Sequence, residues 1–498
     1  MKSVRAYPAK DEFCQLAEKH NILPVYTELL TDMETPVSLY YKLVGDEVGF
    51  ILESAETNKT FGRYSFIGAA PFATVSAHQS YSEIKTKEKT VKVEGSPAAV
   101  LRDFMQTFSF PDLPGLPPFT GGGVGYFAYE SVATWERIRG LEIPEETVLS
   151  ELLFCQVIII MDHLTHSIKL MYLARTEPGK AADEIYDEAV VELKEWIKKL
   201  RQPAVYPQDN MAMPRQGKSL SIDAIAQEKF ISIVEKAKEH ILAGDIFQVV
   251  LSQQFRSKLK KHPFSLYRRL RQVNPSPYMF YINFGERKLV GASPEMLVKL
   301  SGDEVVTYPI AGTRPRGKDE AEDALLAAEL LADTKEKAEH AMLVDLGRND
   351  IGRISLPGTV KVRRMMEIEK FSHVMHMVSE VAGRIHPKFA AVDALSACFP
   401  AGTVSGAPKA RAMEIIHELE NLERGPYAGA VGYLDFKGSM DTCITIRTMV
   451  IDGDEVSIQT GAGIVADSVP EKEYLEVLQK AKVLFQVIGE DDDDDHTH

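Results

Sequence analysis

Two different hydrophobic periods alternate along this 498-residue chain, and the order in which they occur limits its fold class. From Ile222 onwards apolar residues recur at helical spacing, which predicts an amphipathic helix with Gly244 at its end. Lys335–Leu346 and Glu471–Leu484 are predicted to be helices as well. Runs rich in β-branched and aromatic residues, such as Tyr278–Phe284, are typical of strands. Because helices and strands do not alternate strictly, the chain is predicted to be α+β rather than a doubly wound α/β protein.

A proline-rich polar segment divides the chain. Residues 202–219 (QPAVYPQDNMAMPRQGKS) contain three prolines and no hydrophobic period, which is typical of a linker. We therefore predict an N-terminal domain over 1–205 and a second domain over 220–488. The remaining residues, 489–498, include six consecutive acidic side chains and are predicted to form a disordered tail.

The composition excludes several classes of protein. With 57 Lys and Arg against 72 Asp and Glu, the formal charge of −15 argues against a nucleic-acid partner. The longest apolar run, Leu152–Met161, is too short to cross a membrane, and the first residues lack the apolar core of a signal peptide. The four cysteines follow neither a zinc nor a disulfide pattern. We expect a cytoplasmic protein with no membrane partner.

Two acidic pairs share one spacing. Glu336 and Glu339 lie on one predicted helix, and Glu473 and Glu476 lie on another. Residues three apart on a helix share a face, so each pair directs two carboxylates the same way. If the two helices meet, four oxygen ligands converge and suit a hard cation such as Mg²⁺. The alternative for either pair is an ordinary solvated helix face.

A second candidate site is basic and rich in glycine. Gly461, Ala462 and Gly463 follow a predicted strand and could offer backbone N–H groups to an anion, while Arg447 offers a planar fork for a carboxylate. A simple turn is the alternative. His376 lies in a Met-rich segment, where a histidine is more often a core or capping residue than a catalyst.

Four sequence blocks resemble the signature motifs of chorismate-utilising enzymes. The similarity covers about residues 225–485 and is weaker in the N-terminal part. Within this family the chain most resembles the large subunits of anthranilate synthases. The resemblance implies an α+β fold with a two-subdomain β-sandwich of orthogonal sheets and helices packed outside. The blocks are PIAGTR at 309–314, AEHAMLVDLGRND at 338–350, AGTVSGAPK at 401–409, and residues 461–480.

The resemblance also implies roles for individual residues. The two glutamate pairs would hold Mg²⁺, directly or through water, and the ion would bind the ring carboxylate of chorismate. Glu295 matches the general acid for the departing C4 hydroxyl, and its role requires a raised pKa. His376 lies with Thr403 against the ring and is a candidate for proton transfer during pyruvate loss. The implied substrate-binding residues are Gly312, Thr313, Tyr427, Arg447, Gly461, Ala462, Gly463 and Lys480.

Two positions indicate which nucleophile attacks. Water-adding relatives carry a lysine base where this chain has Gln248, and aminodeoxychorismate synthases carry a nucleophilic lysine where it has Ala311. The resemblance therefore implies that free ammonia adds at C2. The product would be an aminodeoxyisochorismate, which loses pyruvate to give anthranilate, in a lyase reaction that is the first committed step of tryptophan biosynthesis. The alternatives are an aminodeoxychorismate synthase component I and a non-catalytic tryptophan-sensing paralogue.

Ammonia needs a source, and the chain lacks a Gly-x-Cys-x-Gly nucleophile motif. At 498 residues it is expected to leave no room for a glutamine-cleaving domain. The resemblance thus implies a glutamine amidotransferase subunit (anthranilate synthase component II) as partner, in a heterodimer or heterotetramer. It also implies feedback inhibition by L-tryptophan, at a site lined by Glu53, Ser54, Pro277, Tyr278, Met279, Val431, Tyr433 and Cys443.

Overall fold

The computed structural model describes residues 5–54, 62–203, 224–371 and 374–489. Most of the predicted linker and all but one residue of the predicted acidic tail lie outside these ranges. The division into two domains therefore stays a prediction.

Eleven α-helices occur within the described ranges. They are α1 (Lys10–Ala17), α2 (Pro36–Leu43), α3 (Pro97–Gln106), α4 (Ala182–Leu200), α5 (Ala224–Leu242), α6 (Pro263–Val273), α7 (Glu320–Ala332), α8 (Thr334–Gly352), α9 (Ala391–Cys398), α10 (Lys409–Glu420) and α11 (Pro470–Ile488). Two short 3-10 helices cover Tyr129–Thr134 and Gly402–Val404.

The strands number twenty-one in the same ranges. They are β1 (Ile22–Leu30), β2 (Gly49–Glu53), β3 (Tyr64–Ala77), β4 (Tyr81–Thr86), β5 (Thr90–Glu94), β6 (Gly122–Phe127), β7 (Ser150–Asp162), β8 (Ser167–Arg175), β9 (Gln248–Lys258), β10 (Tyr278–Asn283), β11 (Arg287–Ser293), β12 (Met296–Ser301), β13 (Glu304–Thr307), β14 (Ile310–Pro315), β15 (Lys361–Lys370), β16 (Val374–Arg384), β17 (Gly406–Ala407), β18 (Ala430–Asp435), β19 (Met440–Ile444), β20 (Thr448–Asp452) and β21 (Glu455–Ile464).

The helices begin where local chemistry favours them. Asp333 precedes α8, and its carboxylate accepts hydrogen bonds from the backbone N–H groups of Lys335 and Glu336, which satisfies two donors that the helix leaves free. Pro470 occupies the first turn of α11, where a missing N–H costs nothing. The predicted helices 335–346 and 471–484 are therefore confirmed and extend further at both ends.

All strand pairings are antiparallel and join into one network with two branches that share the long strands β3 and β7. The first branch runs β1-β8-β7-β3-β2-β10-β11-β20-β21-β9-β17. The second runs β5-β4-β3-β7-β6-β18-β19-β12-β13-β16, with β14 and β15 also on β16. Strands from both sides of residues 204–223 thus pair directly.

The two faces of the first branch enter different cores. On β10, Met279 and Tyr281 belong to a core shared with residues of α2, α4, α6 and α11. Phe280 and Ile282, which alternate with them, belong to a second core that also contains residues of β6, β12 and β18. This period of two places helices on one face of the branch and the other branch's side chains on the opposite face.

The α+β class is confirmed. No helix among the described residues is long and apolar enough to span a membrane.

Candidate active site

Glu295 lies in the turn between β11 and β12, next to the 3-10 helix Gly402–Val404. The hydroxyl of Thr403 donates a hydrogen bond of 3.0 Å to Oε2 of Glu295. Burial raises the pKa of Glu295, while this hydrogen bond and the positive charges of Arg447 and Lys480 oppose the shift. A carboxyl that is held protonated can donate a proton to a leaving group.

A cavity opens beside this carboxyl. Glu295 and Thr403 lie on its wall, together with apolar side chains that include Leu297 of β12 and Leu343 and Leu346 of α8. The apolar side chains of this wall cannot solvate a carboxylate charge, which is consistent with the raised pKa.

His376 lies in β16, and its register partner in β14 is Thr313. Nδ1 of His376 is 3.0 Å from the hydroxyl of Thr313 and 3.3 Å from the carbonyl oxygen of Gly312. When Nδ1–H donates to that carbonyl, Nε2 keeps a lone pair and can accept a proton. Burial lowers the pKa of His376, the hydrogen bond with the carbonyl of Gly312 opposes this shift, and the nearby Arg447 adds to it, so the neutral ring predominates at pH 7.

Gly312 shapes this contact. The β14–β16 register shifts between Ala311 and Thr313, and Gly312 has a φ of +71°. A Cβ at this position would lie 3.0 Å from a Leu330 methyl and 3.2 Å from Oε2 of Glu336. The bulge therefore requires glycine, and it directs a backbone carbonyl at the histidine.

Arg447 lies between β19 and β20 with a φ of +50°, which is uncommon for a residue with a side chain. Its carbonyl accepts the N–H of Ala292 at 3.2 Å, and its Nη1 is 3.4 Å from Oδ1 of Asn274. Burial lowers its pKa, and the charge of Glu295 opposes that shift. Since a guanidinium stays protonated in proteins, the site contains a fixed positive charge near Glu295.

The glycines at 461 and 463 lie inside β21, so the predicted end of the strand at Gln459 was wrong and the alternative of a simple turn does not hold. Both glycines pair with residues of β9, so the strand continues beyond Gln459, where the sequence pattern had placed its end. A Cβ at Gly461 would lie 2.7 Å from the hydroxyl of Tyr427, and a Cβ at Gly463 would lie 2.8 Å from Nε2 of Gln248. The ammonium of Lys480 donates to the carbonyl of Gly461 at 2.9 Å. Polar side chains thus approach the backbone of this strand closely.

The four predicted metal ligands lie on α8 and α11. Burial raises the pKa of Glu339, and the charges of Glu336 and Glu476 raise it further. Burial also raises the pKa of Glu473, with a contribution from Glu476. The two helices therefore bring their carboxylates within electrostatic range of one another, as the sequence could not show.

These carboxylates do not form a ready cluster. Among the described residues, no group of three His, Cys, Asp or Glu side chains is close enough to hold a metal ion. Lys480 is 2.8 Å from Glu476, and Arg314 is 3.7 Å from Glu336, so cations neutralise part of the set. The donors remain the hard oxygens that Mg²⁺ prefers, and the repulsion on Glu339 is the kind that a divalent cation relieves.

The residues predicted to bind tryptophan are drawn from both branches. Glu53, at the end of β2, is the register partner of Met279 in β10. The hydroxyl of Tyr278 donates to Asp441 of β19 at 2.9 Å. The other predicted members occupy β18, β19 and the segments that precede β10 and follow β2: Val431, Tyr433, Cys443, Pro277 and Ser54.

Glu53 is buried, and one oxygen of its carboxylate accepts two hydrogen bonds. Oε2 accepts from the hydroxyl of Tyr267 at 2.6 Å and from Nε of Arg271 at 2.9 Å. Oε1 is buried and has no hydrogen-bond partner among the described residues. A buried carboxylate oxygen of this kind can receive a ligand's ammonium group.

Sequence reasoning missed the partners of several predicted residues. Tyr267 and Arg271 are four apart on α6, a spacing that predicts a shared face, but nothing in the sequence connects them with Glu53. Glu420 and Arg424 are also four apart; both side chains are buried, and Arg424 donates to the carbonyl of Val404, which follows Thr403. Helical i, i+4 spacing was an available signal only for Tyr267 and Arg271, because α10 ends at Glu420 and Arg424 lies beyond it.

The fold is that of an α+β protein, and its candidate site brings together a buried carboxyl whose pKa is raised, a histidine whose pKa is lowered and the guanidinium of Arg447, which are groups suited to acid–base chemistry on an anionic ligand. The chain belongs to the family of chorismate binding enzymes, whose family model matches residues 50–486.

Individual relatives cover nearly the whole chain. It is 44% identical over 491 residues to the anthranilate synthase component 1 of Acetivibrio thermocellus, with 97% of this chain and 99% of that protein covered. It is also 44% identical to the protein of that name from Aquifex aeolicus, with 96% and 97% covered.

Solved structures agree with this grouping. The structure of anthranilate synthase component I from Streptococcus pneumoniae matches with a TM-score of 0.73 at 38% identity, covering 86% of this chain and 93% of that one. The menaquinone-specific isochorismate synthase of Escherichia coli matches with a TM-score of 0.69 at 18% identity and covers 97% and 99%, which shows a shared fold alone.

Proposed function

We propose that the chain is the large subunit of an anthranilate synthase, which converts chorismate and ammonia to anthranilate and pyruvate. The observation that carries this proposal is the 44% identity to anthranilate synthase component 1 proteins over nearly the full length of both chains. The proposal places the reaction at the first committed step of tryptophan biosynthesis.

The first step is addition of ammonia at C2 with departure of the C4 hydroxyl. Glu295 protonates the leaving oxygen, and its raised pKa supports this role. The hydrogen bond from Thr403 fixes the direction of the carboxyl. Arg447, Tyr427 and the segment 461–463 bind the substrate carboxylates, with Gly312, Thr313 and Lys480 completing the site.

The second step is loss of pyruvate from the aminodeoxyisochorismate. Nε2 of His376 removes the proton at C2, the bond between C3 of the ring and the ether oxygen breaks, and the ring becomes aromatic. The enolate that leaves takes up a proton on carbon and becomes pyruvate. The neutral state of His376 and its Nδ1 contact with the carbonyl of Gly312 support a base at Nε2.

Glu336, Glu339, Glu473 and Glu476 would hold Mg²⁺, directly or through water. When bound, the ion would act as a Lewis acid on the ring carboxylate and neutralise its charge. The hard-oxygen donor set and the mutual repulsion of the carboxylates support this proposal.

Two positions favour ammonia over other nucleophiles. Ala311 carries no amine, and Gln248 is a neutral side chain that lies against Gly463. We place the ammonia source in a glutamine amidotransferase subunit that binds this chain. We also propose the family's orthogonal two-subdomain β-sandwich, for which the two sheet branches and the core between them are the support.

Tryptophan is proposed to inhibit the enzyme at the Glu53 site. The unpartnered Oε1 suits its ammonium group, and Pro277, Tyr278, Met279, Val431, Tyr433, Cys443 and Ser54 would surround the rest of the molecule. All four cysteines are unbridged within the described ranges, which is consistent with a reducing compartment such as the cytoplasm.

The test is direct. The purified chain is mixed with chorismate, Mg²⁺ and an ammonium salt at alkaline pH, and anthranilate fluorescence and pyruvate are followed. We expect both products in equal amounts. Absence of anthranilate refutes the proposal, and an amino product that keeps its enolpyruvyl group identifies an aminodeoxychorismate synthase instead.

A further inference from the structure

A fully buried ion pair lies behind the candidate active site. Glu420 ends α10, and Arg424 follows four residues later. Nε of Arg424 donates to one carboxylate oxygen of Glu420 at 2.9 Å, and Nη2 donates to the other at 2.6 Å. Each side chain is only 1% exposed. A buried pair of this kind is weak grounds for a purely stabilising role, because desolvation offsets most of the attraction.

The remaining bonds of the pair go to three backbone groups and to the hydroxyl of Ser252. Nη1 of Arg424 donates to the carbonyl of Val404 at 2.8 Å, and Nη2 donates to the carbonyl of Val250 at 2.7 Å. Oε1 of Glu420 accepts from the N–H of Ser252 at 2.6 Å and from its hydroxyl at 2.9 Å. The pair therefore fixes the 3-10 helix Gly402–Val404 relative to β9.

Both segments adjoin residues that we place around the substrate. Val404 follows Thr403, whose hydroxyl bonds Glu295. Val250 and Ser252 are the register partners of Gly463 and Gly461. A shift of the Arg424 guanidinium would thus move both Thr403 and the segment Gly461–Gly463 of β21.

Two residues of the N-terminal part of the chain, Tyr129 and Glu130, also contact Arg424. The backbone N–H groups of Arg424 and Gly425 donate to the two carboxylate oxygens of Glu130 at 2.7 and 3.0 Å. The guanidinium carbon is 4.7 Å from the ring centre of Tyr129 and 5.6 Å from that of Tyr427. The arginine is locked in position by charges, hydrogen bonds and rings.

We propose that Arg424 and Glu420 are positioning residues of the chorismate site, which hold Thr403 and the Gly461–Gly463 strand in the geometry that binds and activates the substrate. Neither side chain needs to touch the substrate. This inference rests on the proposed function, and it adds two residues to the machinery of that reaction.

The test compares Arg424→Lys with a remote core variant, Leu193→Ala. Lysine keeps the charge but cannot hold two carboxylate oxygens and two carbonyls at once. Leu193 is buried on α4, so its truncation lowers thermal stability without touching the site. Thermal unfolding, kcat and KM for chorismate with ammonium as donor, and chorismate binding by calorimetry are measured for each variant at a temperature where all are folded.

We expect Arg424→Lys to lower kcat/KM by about 10- to 100-fold, through both kcat and KM, and to weaken chorismate binding. Leu193→Ala should keep wild-type kinetics at an equal or larger loss of Tm. Near-wild-type kcat/KM in Arg424→Lys overturns the proposal, as does an equal kinetic loss in the two variants.

The double variant Glu420→Gln/Arg424→Gln covers the case in which Arg424→Lys does not fold, because two neutral amides avoid a buried unpaired charge. The double variant should fold and show the kinetic loss expected of Arg424→Lys. If neither variant folds, the ion pair is required for folding and the positioning role is rejected. A wild-type chain that binds chorismate without forming anthranilate refutes the proposed function, whereas the binding comparison still decides the positioning role.

Discussion

At the scale of single residues, the proposed mechanism depends on the protonation of Glu295, which would supply the proton to the leaving hydroxyl. Its pKa is raised chiefly by burial, so the acid form persists at a pH where an exposed glutamate would have ionised. In the proposed mechanism the protonated form is the active one, and kcat/KM for chorismate, measured at a constant concentration of free NH3, should therefore fall as the pH rises through the folded-state pKa.

Glu295→Gln should lower kcat by about 10²- to 10⁴-fold and remove that alkaline decline. Steady-state kinetics across a pH series measure both effects. Glu151→Gln is the matched control, because Glu151 also has a carboxyl whose pKa burial raises, to about 7, but lies in β7. A control with the same loss would show that the effect is not specific to Glu295.

The buried carboxyl of Glu130 leads to a prediction about how the stability of the protein depends on pH. Burial raises its pKa to about 7 from an ordinary 4.5, although the N–H groups that it accepts oppose the shift. Between these two values the folded protein holds a proton that the unfolded chain releases, so this residue's contribution to stability falls as the pH rises.

Glu130→Gln should remove this pH dependence. From pH 4.5 to pH 7 the wild type should lose up to about 3 kcal/mol of unfolding free energy relative to the variant. Chemical denaturation at several pH values measures it. A difference that stays constant with pH would contradict the raised pKa.

At the scale of elements, α8 and α11 carry the two glutamate pairs that we propose as metal ligands. Each presents a pair of glutamates at i, i+3 spacing, and the charge of Glu476 contributes to the raised pKa of Glu339, so the two pairs lie within electrostatic range of each other. A divalent cation between them would stabilise both helices in that arrangement.

Glu339→Gln should raise the Mg²⁺ concentration needed for half-maximal activity by at least roughly 10- to 100-fold. Loss of a residue that only hydrogen-bonds a metal ligand already weakens metal binding by that factor. Mg²⁺ titration of turnover, together with calorimetric Mg²⁺ binding, provides the measurement. Glu471→Gln, on the exposed first turn of α11, is the control and should titrate like the wild type. An unchanged titration in the Glu339 variant would exclude this glutamate as a ligand.

At the scale of the whole molecule, the proposed tryptophan site joins the two branches of the sheet. Glu53 and Met279 belong to the first branch, whereas Val431 and Cys443 belong to the second. A ligand that binds both can favour one arrangement of the branches over another, and any arrangement with lower chorismate affinity then appears as inhibition.

Ser54→Ala should leave kcat and KM for chorismate intact and raise the half-inhibitory tryptophan concentration by roughly tenfold or more, because a polar contact to a charged ligand is lost. Initial rates at increasing tryptophan concentrations test this. Ser76→Ala, a half-buried serine on β3, should be inhibited like the wild type. Unchanged inhibition of the Ser54 variant would contradict the placement of the site.

The sequence by itself determined what depends on local order. Helical periods gave α8 and α11, and runs of β-branched residues gave strands such as β10, because a side chain's face follows from its position in a short repeat. Local pattern failed at Gly461–Gly463, since glycines that favour a turn in isolation continue a strand when β9 pairs with them. The motif blocks indicated the family in the same local way.

Only the tertiary structure decided which distant residues meet. The approach of Glu476 to Glu339, the bonds of Tyr267 and Arg271 to Glu53, and the enclosure of Arg424 by Glu130, Val250 and Val404 all join residues far apart in the chain. Such contacts arise from how the two branches and their helices pack around shared cores, and no short-range period encodes that packing. The chemistry of the site was therefore present in the sequence as residue types, whereas their mutual positions, burial and pKa shifts came from the fold.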